Sequence, residues 1–473
     1  MVPRRLSSCA LICAGRRSFF YKILTGTKEE IIIANNTDIV SKLLLTQSTE
    51  AEREQLFPIA RRALIDYLGC YSLALNEKAV INLAKTLQIN QTTSDLEANR
   101  PASQLALFNG FTAHYLDIDD VQANFRGHPS AVIYSALLAI SDSSDKISDL
   151  LWAYVQGVEL AGKLGRILNP VHAGNGWHST GTIGTIAAAA AVGVYKKVDV
   201  KKLSQIISLA TTQASGQIAQ EGSDGKPLNA GFAARNAVTA YELIETGLTA
   251  NDDPFDSVNG WTAVITDEYF VINDLIDDWL KPAEILNPGL WFKERPICSA
   301  ALSGYNAAKK AWQAGVRFSE CDQIICHYPR SGDLALKQTN PQSGMAGKFS
   351  IEYIVWLVLN RGDVENSDFF NRPVDERFTE SVGKIKRVHD LQVSDRNKRP
   401  IEIEIVQGNE HQFFKVEIPH GSPEDPLTDH EIVKKAVAGL GGPIIEILSK
   451  LTDTKGYLQE LGNLWQIDLR RFS

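Results

Sequence analysis

The 473-residue chain lacks several features that mark particular classes of protein. Its six cysteines are few and scattered, which excludes a disulfide framework and indicates the reduced thiols of an intracellular protein. No segment approaches the roughly 18 consecutive apolar residues of a membrane-spanning helix. The formal net charge is −8, whereas nucleic-acid binding favours a basic surface. We therefore expect neither a membrane nor a nucleic acid as a partner.

The composition instead indicates a large globular protein. Hydrophobic residues make up 44% of the chain and charged residues 22%, which is enough apolar material for a substantial core. A length of 473 residues predicts two or three domains. Such a protein is most often an enzyme.

The N-terminal segment differs from the rest. Residues 1–28 contain six arginines and lysines and three serines, and no acidic residue precedes Glu29. An arginine- and serine-rich, acid-poor leader is typical of a mitochondrial presequence, which we assign to residues 1–33. The alternatives are a cytoplasmic protein and upstream sequence wrongly included in the reading frame.

The hydrophobic patterns predict a mainly α fold. Residues 34–277 are predicted to form an all-α domain, because apolar residues recur at helical spacing and residues 181–194 have almost no polar face. Residues 278–426 are predicted to form a smaller α+β domain. Within it, residues 401–406 and 413–418 alternate with period two around Gly408-Asn409, as in a hairpin. Thr428 and Glu431 fit a capping box that opens a C-terminal helical segment, residues 427–473, able to pack on the first domain.

The densest polar segment spans residues 109–129. It contains three carboxylates and two imidazoles, namely Asp117, Asp119, Asp120, His114 and His128. Such a set suits metal ligation or acid–base chemistry, although His114 and Asp117 on one helix face lack the usual spacing of a metal motif. The alternative is a solvated acidic turn. Because adjacent like charges raise one another's pKa, we expect at least one aspartate to cap a helix or pair with Arg126.

Three further polar segments carry candidate side chains. His178 precedes the apolar segment 181–194, where it is either a tunable acid–base group or a core hydrogen-bonding residue. Lys226 lies in residues 220–231, which contain several glycines and a proline and form a shaped loop. Lys348 and Ser350 lie in residues 346–353. These segments together suggest cations that hold a small anion while nearby groups move a proton.

Several motifs are missing from the sequence. It has no Walker loop, no dinucleotide-binding glycine pattern after a strand, no nucleophile elbow and no zinc or iron–sulfur spacing. Histidine, lysine and aspartate without a cofactor or metal suit proton abstraction beside a carbonyl or carboxylate group. Elimination, decarboxylation and epimerisation all fit that description.

The ordered motifs resemble the 2-methylcitrate dehydratase and cis-aconitate decarboxylase family (MmgE/PrpD) over about residues 40–465. The motifs that carry the resemblance are Asn109-Gly110, His114-x-x-Asp117-x-Asp119-Asp120, His128-Pro129-Ser130, Gly176-Trp177-His178-x-Thr180, Lys226-x-Leu228-x-x-Gly231, Lys293-x-x-Pro296-x-Cys298 and Lys348-Phe349-Ser350. The resemblance implies a helical domain completed by the C-terminus, a smaller α+β lid and a homodimer.

The resemblance also implies roles for individual residues. His128 and His178 would be general acid or base, Lys226 the partner of a carboxylate or enolate, and Asp117 the residue that orients them. Lys348, Ser350 and Arg126 would bind the substrate, a small di- or tricarboxylate. Family members include dehydratases, a decarboxylase and an iminodisuccinate epimerase, and they use no metal or organic cofactor.

The chain departs from the family pattern at three positions. Leu302 replaces a histidine of many members, Val121 replaces the threonine of decarboxylase-like members, and Asn229 replaces the usual histidine after Lys226. Leu302 and Val121 slightly disfavour a standard dehydratase pocket. Dehydration, decarboxylation and epimerisation remain alternatives, and so does a non-catalytic paralogue that binds an acid or a protein partner.

Overall fold

The computed structural model describes residues 36–89, 101–255, 259–266, 278–392 and 398–440, together with residues 456 and 458. The predicted leader, residues 1–33, lies outside the described residues. Among the helices that are described, none combines the length and the apolar character needed to cross a membrane.

The first part of the chain is helical. Its helices are α1 (Asn36–Leu44), α2 (Glu50–Ala74), α3 (Lys78–Thr86), α4 (Ala102–His114), α5 (Pro129–Ala139), α6 (Ile147–Leu168), α7 (Val171–Gly174), α8 (Ile183–Tyr195), α9 (Val200–Thr211), α10 (Gly225–Glu245) and α11 (Trp261–Thr266). A short 3-10 turn, Ile218–Gln220, precedes α10. The loop predicted for residues 220–231 ends at Asp224, because α10 begins at Gly225 and Lys226 lies in its first turn.

Helix α8 lies at the centre of this bundle. All thirteen of its residues are buried, as the lack of a polar face predicts. Small side chains let its neighbours approach closely: a Cβ added to Gly157 on α6 would lie 3.1 Å from the Cβ of Ala191. The bundle core also contains Leu427, Ile432 and Ala436 from near the end of the chain.

The second part combines a sheet with helices. Its elements are a π-helical turn (Ile285–Gly289), β2 (Leu290–Trp291), α12 (Leu302–Gln313), β3 (Gln323–Pro329), α13 (Gly344–Gly347), α14 (Ile351–Arg361), α15 (Glu376–Ser381), β4 (Ile385–Leu391), β5 (Ile401–Gln407) and β6 (Glu410–Val416). Short 3-10 turns lie at Ser299–Ala301, Phe318–Glu320, Asn366–Phe369 and Val382–Lys384. The sheet order is β4-β3-β5-β6, with β4 parallel to β3 and the other pairs antiparallel. Buried residues of these elements form their own apolar core.

The predicted hairpin is present, with one difference in its second strand. Strand β6 runs Glu410–Val416 and so begins three residues before the predicted position. The reason is the turn, since Gln407 pairs with Glu410 and only Gly408 and Asn409 lie between the strands. Gly408 has φ +58°, a conformation that suits glycine in a tight hairpin turn.

Two contacts join the parts of the chain close to the polar loop at residues 115–128. Strand β1 (Val121–Gln122) pairs antiparallel with β2, so that Val121 lies opposite Trp291. The C-terminal helix α16 (Asp429–Leu440) packs on α2 at a glycine, because a Cβ on Gly69 would lie 2.8 Å from the Cα of Ala436. The predicted capping box opens this helix: Glu431 accepts from the Thr428 backbone at 2.7 Å, and the Thr428 hydroxyl accepts from the Glu431 backbone at 3.3 Å.

Candidate active site

The polar loop begins where helix α4 ends. His114 is the last residue of that helix, and Asp117 has φ +57°, in the left-handed region. His114 and Asp117 therefore do not share a helix face, contrary to one possibility that the spacing allowed. The left-handed turn directs the neighbouring aspartates to different partners, although all three are buried.

Asp117 lies between two lysines. Its Oδ2 is 2.6 Å from Nζ of Lys226, and its Oδ1 is 2.6 Å from Nζ of Lys293. Burial alone would raise the pKa of Asp117, but the two ammonium groups outweigh that effect and hold its pKa well below the usual range. The pKa of Lys226 is raised in turn, because Asp117 outweighs the opposing effect of burial. Asp117 is therefore an anion and Lys226 a cation at neutral pH.

Asp119 contacts two imidazoles. Its Oδ1 lies 2.9 Å from Nδ1 of His114, and its Oδ2 lies 3.1 Å from Nδ1 of His128. The two rings are 4.2 Å apart. Because a carboxylate only accepts hydrogen bonds, Nδ1 of His114 carries the proton and Nε2 is left as the basic nitrogen. That Nε2 atom is buried and has no hydrogen-bond partner among the described residues.

The histidines are neutral bases. Burial lowers the pKa of His114 and His178, and it lowers the pKa of His128 to about 3. His178 lies behind the other two, with its ring 6.4 Å from that of His114. The Asn229 amide donates to Nδ1 of His178 at 3.0 Å, so the neutral ring carries its proton on Nε2. Asn229, where the family has a histidine, thus fixes one tautomer of His178.

The second part of the chain adds a third lysine. Nζ of Lys348 is buried and donates to the Tyr115 backbone oxygen at 3.3 Å. Burial, together with Lys226 and Lys293, lowers the pKa of Lys348 to about 8, although Asp117 opposes the shift. Next to it, the Phe349 ring lies 5.2 Å from Nζ of Lys226. The two parts of the chain therefore meet at the cationic side of the cluster.

Other predicted residues have separate tasks. Ser350 caps helix α14, accepting from the Tyr353 backbone at 3.1 Å and donating to Glu352 at 3.1 Å. Arg126 is exposed, with φ +53°, in the turn before His128. Asp120 accepts from the Ser130 hydroxyl at 2.7 Å and from its backbone at 3.2 Å, near the start of α5. One aspartate of the three thus serves a helix start, as expected, while substrate contacts of Arg126 and Ser350 stay predictions.

Sequence reasoning missed four residues of this cluster as site residues: Lys293, His114, Asp119 and Asn229. Lys293 carried a signal, since it begins one of the family motifs. His114 and Asp119 belong to the dense polar segment, but spacing alone does not say which of its acids meets which imidazole.

A fifth residue that sequence reasoning missed is Glu221. It has a buried oxygen without a hydrogen-bond partner among the described residues. Burial raises its pKa to about 7, against the effect of Lys226 and Lys337, so that it can hold a proton at neutral pH.

The two apolar departures from the family pattern are both buried. Val121 is 3% exposed in β1, and Leu302 is 2% exposed at the start of α12. Both belong to the apolar core of the second part of the chain. Neither supplies a hydrogen-bonding group, so any pocket wall that they form is apolar.

Four of the clustered side chains have the spacing of a metal site. Ligand atoms of His114, Asp117, Asp119 and His128 all lie within 4.8 Å of one another. A divalent ion bound there would, however, lie beside the two ammonium groups that already contact both oxygens of Asp117. The cluster therefore fits a carboxylate neutralised by lysines better than it fits a metal site.

We expect that dialysis against EDTA leaves turnover by the protein unchanged, because the lysines already supply the positive charge at Asp117. The measurement compares initial rates before and after dialysis. Loss of activity that a divalent ion restores would contradict this expectation.

The fold and the site together define a class of protein: a helical bundle with a smaller α+β part, with buried carboxylates, ammonium groups and neutral imidazoles where the two meet. The sequence matches the MmgE/PrpD N-terminal domain over residues 40–270 and the MmgE/PrpD C-terminal domain over residues 296–444. The chain belongs to the MmgE/PrpD family.

Among curated proteins, the chain is similar to cis-aconitate decarboxylases. It is 27% identical over 216 residues to that of Mus musculus, a match that covers 43% of this chain and 44% of the relative. It is 28% identical over 169 residues to that of Homo sapiens, covering 34% of this chain and 35% of the relative. The enzyme of Aspergillus terreus is 28% identical over 153 residues, or 31% of each chain. Each match thus spans less than half the length of the relative.

Proposed function

We propose that this protein is a lyase that acts on small di- or tricarboxylates without a metal or organic cofactor, with cis-aconitate decarboxylation as the leading reaction. The observation that carries the proposal is the Asp117 carboxylate held between Lys226 and Lys293, next to imidazoles that burial keeps neutral. The names of the relatives support the choice of reaction. Leu302 supports it too, because an apolar side chain suits a departing carboxylate, whereas Val121 departs from the threonine of decarboxylase-like members.

The proposed reaction needs a stabilised carbanion. In decarboxylation, the bond from an allylic carbon to its carboxylate breaks and carbon dioxide leaves. The electron pair moves through the neighbouring double bond to the carbon beside a second carboxylate, and that carbon takes up a proton. Lys226 would stabilise the charge that spreads onto this second carboxylate. The proton would come from a group that holds one at neutral pH, for which Lys226 and Glu221 both qualify.

Two alternative reactions use the same groups differently. A 2-methylcitrate dehydratase or an iminodisuccinate-type epimerase would begin with proton abstraction. Neutral His128 would be the base, and His178, which carries its proton on Nε2, would be the acid. A dehydratase would also need an acid directed at the leaving hydroxyl group. The alternative of another class is a paralogue that binds a carboxylate or a protein partner without turnover.

We expect kcat/KM to stay high as the pH falls from 7 through 6, because burial lowers the histidine pKa values and the imidazoles remain bases. As the pH rises through about 8, kcat/KM should fall, because Lys348 loses its proton and with it the ability to hold a carboxylate. A pH–rate profile checks both limbs, and Lys348→Met should lack the alkaline one. An acid limb with a midpoint at or above 6.5 would contradict the neutral imidazoles.

The proposal is tested by NMR of citrate, 2-methylcitrate, cis-aconitate, malate and iminodisuccinate, incubated with the purified protein in deuterated water. A terminal-methylene signal from cis-aconitate supports decarboxylation, whereas olefinic signals from 2-methylcitrate support dehydration. Deuterium uptake without a new product supports epimerisation. Lys226→Ala is the control. No change in any acid, with folded protein, favours the binding paralogue.

We also propose a homodimer and a mitochondrial location, the latter with a cytoplasmic alternative. Both rest on the resemblance and on the composition of residues 1–33. Sedimentation equilibrium at micromolar concentration tests the dimer. The location is tested in cells with two proteins: a fluorescent protein that carries residues 1–33 as a fusion, and the same fluorescent protein without them.

A further inference from the structure

The ammonium group of Lys435 bonds three separate segments of the chain next to the candidate site. This residue is on the C-terminal helix α16, and its side chain is 8% exposed. Nζ of Lys435 contacts Oδ1 of Asp66 at 2.6 Å, the Ile118 backbone oxygen at 2.5 Å and the Lys293 backbone oxygen at 3.2 Å. A lysine ammonium group has three hydrogens, so all of its donor capacity is used within the protein.

Two of these three contacts hold residues of the candidate site. Ile118 lies between Asp117 and Asp119, in the loop that begins with the left-handed turn at Asp117. Lys293 is the residue whose Nζ contacts Asp117 at 2.6 Å. One ammonium group is therefore bonded to the backbone of Lys293 and to the backbone of the residue that follows Asp117.

The third contact anchors that ammonium group. Asp66, on helix α2, is completely buried, and its other oxygen accepts from the Cys70 thiol at 3.6 Å. The close packing of Gly69, three residues after Asp66, against Ala436, the neighbour of Lys435, holds α2 and α16 together here. Lys435 thus has a rigid support. It contacts Lys293 although the two residues are 142 positions apart in the sequence.

We propose that Lys435 is a positioning residue of the active site, which holds Lys293 against Asp117 by bonding the backbones of Ile118 and Lys293. The inference rests on the proposed function, since it gives the C-terminal helix a part in the reaction. A misplacement of about 1 Å in a catalytic group can cost about 100-fold in rate, which is why such a support matters. The three contacts of Lys435 are all within the protein, so it would act through these backbones.

The test uses the full chain with three variants. Lys435→Met removes the support but leaves the buried Asp66 charge without its partner, which destabilises the fold. Asp66→Asn/Lys435→Met removes both charges and keeps similar side-chain volumes. Lys434→Met is the matched control, because Lys434 is the exposed neighbour on the same helix. Thermal unfolding, kcat, KM and the pH dependence of kcat are measured for each on the acid that the wild type converts.

We expect the double variant to recover most of the unfolding temperature lost by Lys435→Met. Its kcat should nevertheless stay about 10- to 100-fold below the wild type, with a smaller change in KM. The acid limb of its kcat profile should move to higher pH. Lys293 contacts the Asp117 oxygen that lies 3.7 Å from Nε2 of His128, and a displaced ammonium group opposes protonation of that imidazole less. Lys434→Met should match the wild type in all four measurements.

A double variant with the kcat and the acid limb of the wild type would overturn the inference and leave Lys435 a purely structural residue. A wild type that converts none of the five acids would instead contradict the proposed function. In that event, crystal structures of the wild type and the double variant test the positioning role of Lys435, because they need no turnover. A Lys293–Asp117 separation that stays at 2.6 Å in the double variant would overturn it, and a longer one would support it.

Discussion

Replacing Lys226 by methionine should lower kcat by about 100- to 1,000-fold, because the loss of one donor aimed at developing negative charge costs about 3–4 kcal/mol of transition-state stabilisation. Methionine keeps much of the side-chain length and its packing near Phe349, but it removes the positive charge. Asp117 keeps Lys293 as a partner at 2.6 Å, so the buried carboxylate is not left alone and the fold should persist. Steady-state kinetics on the converted acid, with thermal unfolding alongside, measure the effect.

Lys201→Met is the control for this variant, since Lys201 is exposed on helix α9 of the same domain. It removes the same charge from an exposed side chain that is not part of the candidate site and should leave kcat unchanged. Lys226→Arg tests the geometry, because a planar guanidinium group does not match a compact ammonium group. If Lys226→Met keeps a kcat within a few-fold of the wild type while folded, Lys226 does not stabilise the transition state.

Replacing Asp119 by asparagine should lower kcat by about 100- to 10,000-fold, the range that positioned acid–base groups contribute. Asp119 accepts from His114 and lies 3.1 Å from Nδ1 of His128, so one carboxylate orients both rings. Asparagine keeps the shape but offers an NH2 donor where an oxygen accepted. At least one imidazole would then change its tautomer or its orientation. The midpoint of the acid limb in the pH–rate profile should not move to higher pH, because removal of a negative charge lowers the histidine pKa values further.

Asp120→Asn is the matched control for this prediction. Burial raises the pKa of Asp120 to about 8, so its side chain is already mostly neutral at pH 7, and asparagine closely resembles that state. Its partners are Ser130 and Tyr154, not the imidazoles. A large loss of kcat in Asp120→Asn, or a small one in Asp119→Asn, would contradict the separate tasks of the two neighbouring aspartates.

The local elements could be read from the sequence because each depends on neighbours in the chain. The apolar segment that became α8, the hairpin around Gly408-Asn409 and the capping box at Thr428 all carry short-range patterns. The pattern predicts the start of β6 three residues too late, because the first residues of the strand, Glu410 to Gln412, are polar. They pair with β5 nevertheless, since the two-residue turn sets the register.

The candidate site was recovered only in part. The sequence predicts four of its residues: Asp117, His128, His178 and Lys226. The structure brings their side chains into one cluster, although their catalytic roles stay predictions. Lys293 is not predicted as a site residue, because its partner Asp117 lies 176 positions away in the sequence. No local pattern indicates which lysine of a long chain will meet a given carboxylate.

The sequence by itself determined the family, the mainly α class and the presence of carboxylates, imidazoles and lysines suited to carbanion chemistry. Only the tertiary structure decided how three neighbouring aspartates divide their tasks: Asp117 pairs with lysines, Asp119 orients histidines and Asp120 holds Ser130. The physical reason is that the left-handed turn at Asp117 directs these side chains differently. Burial then makes the charge state of each depend on partners that the fold, not the chain order, brings within reach.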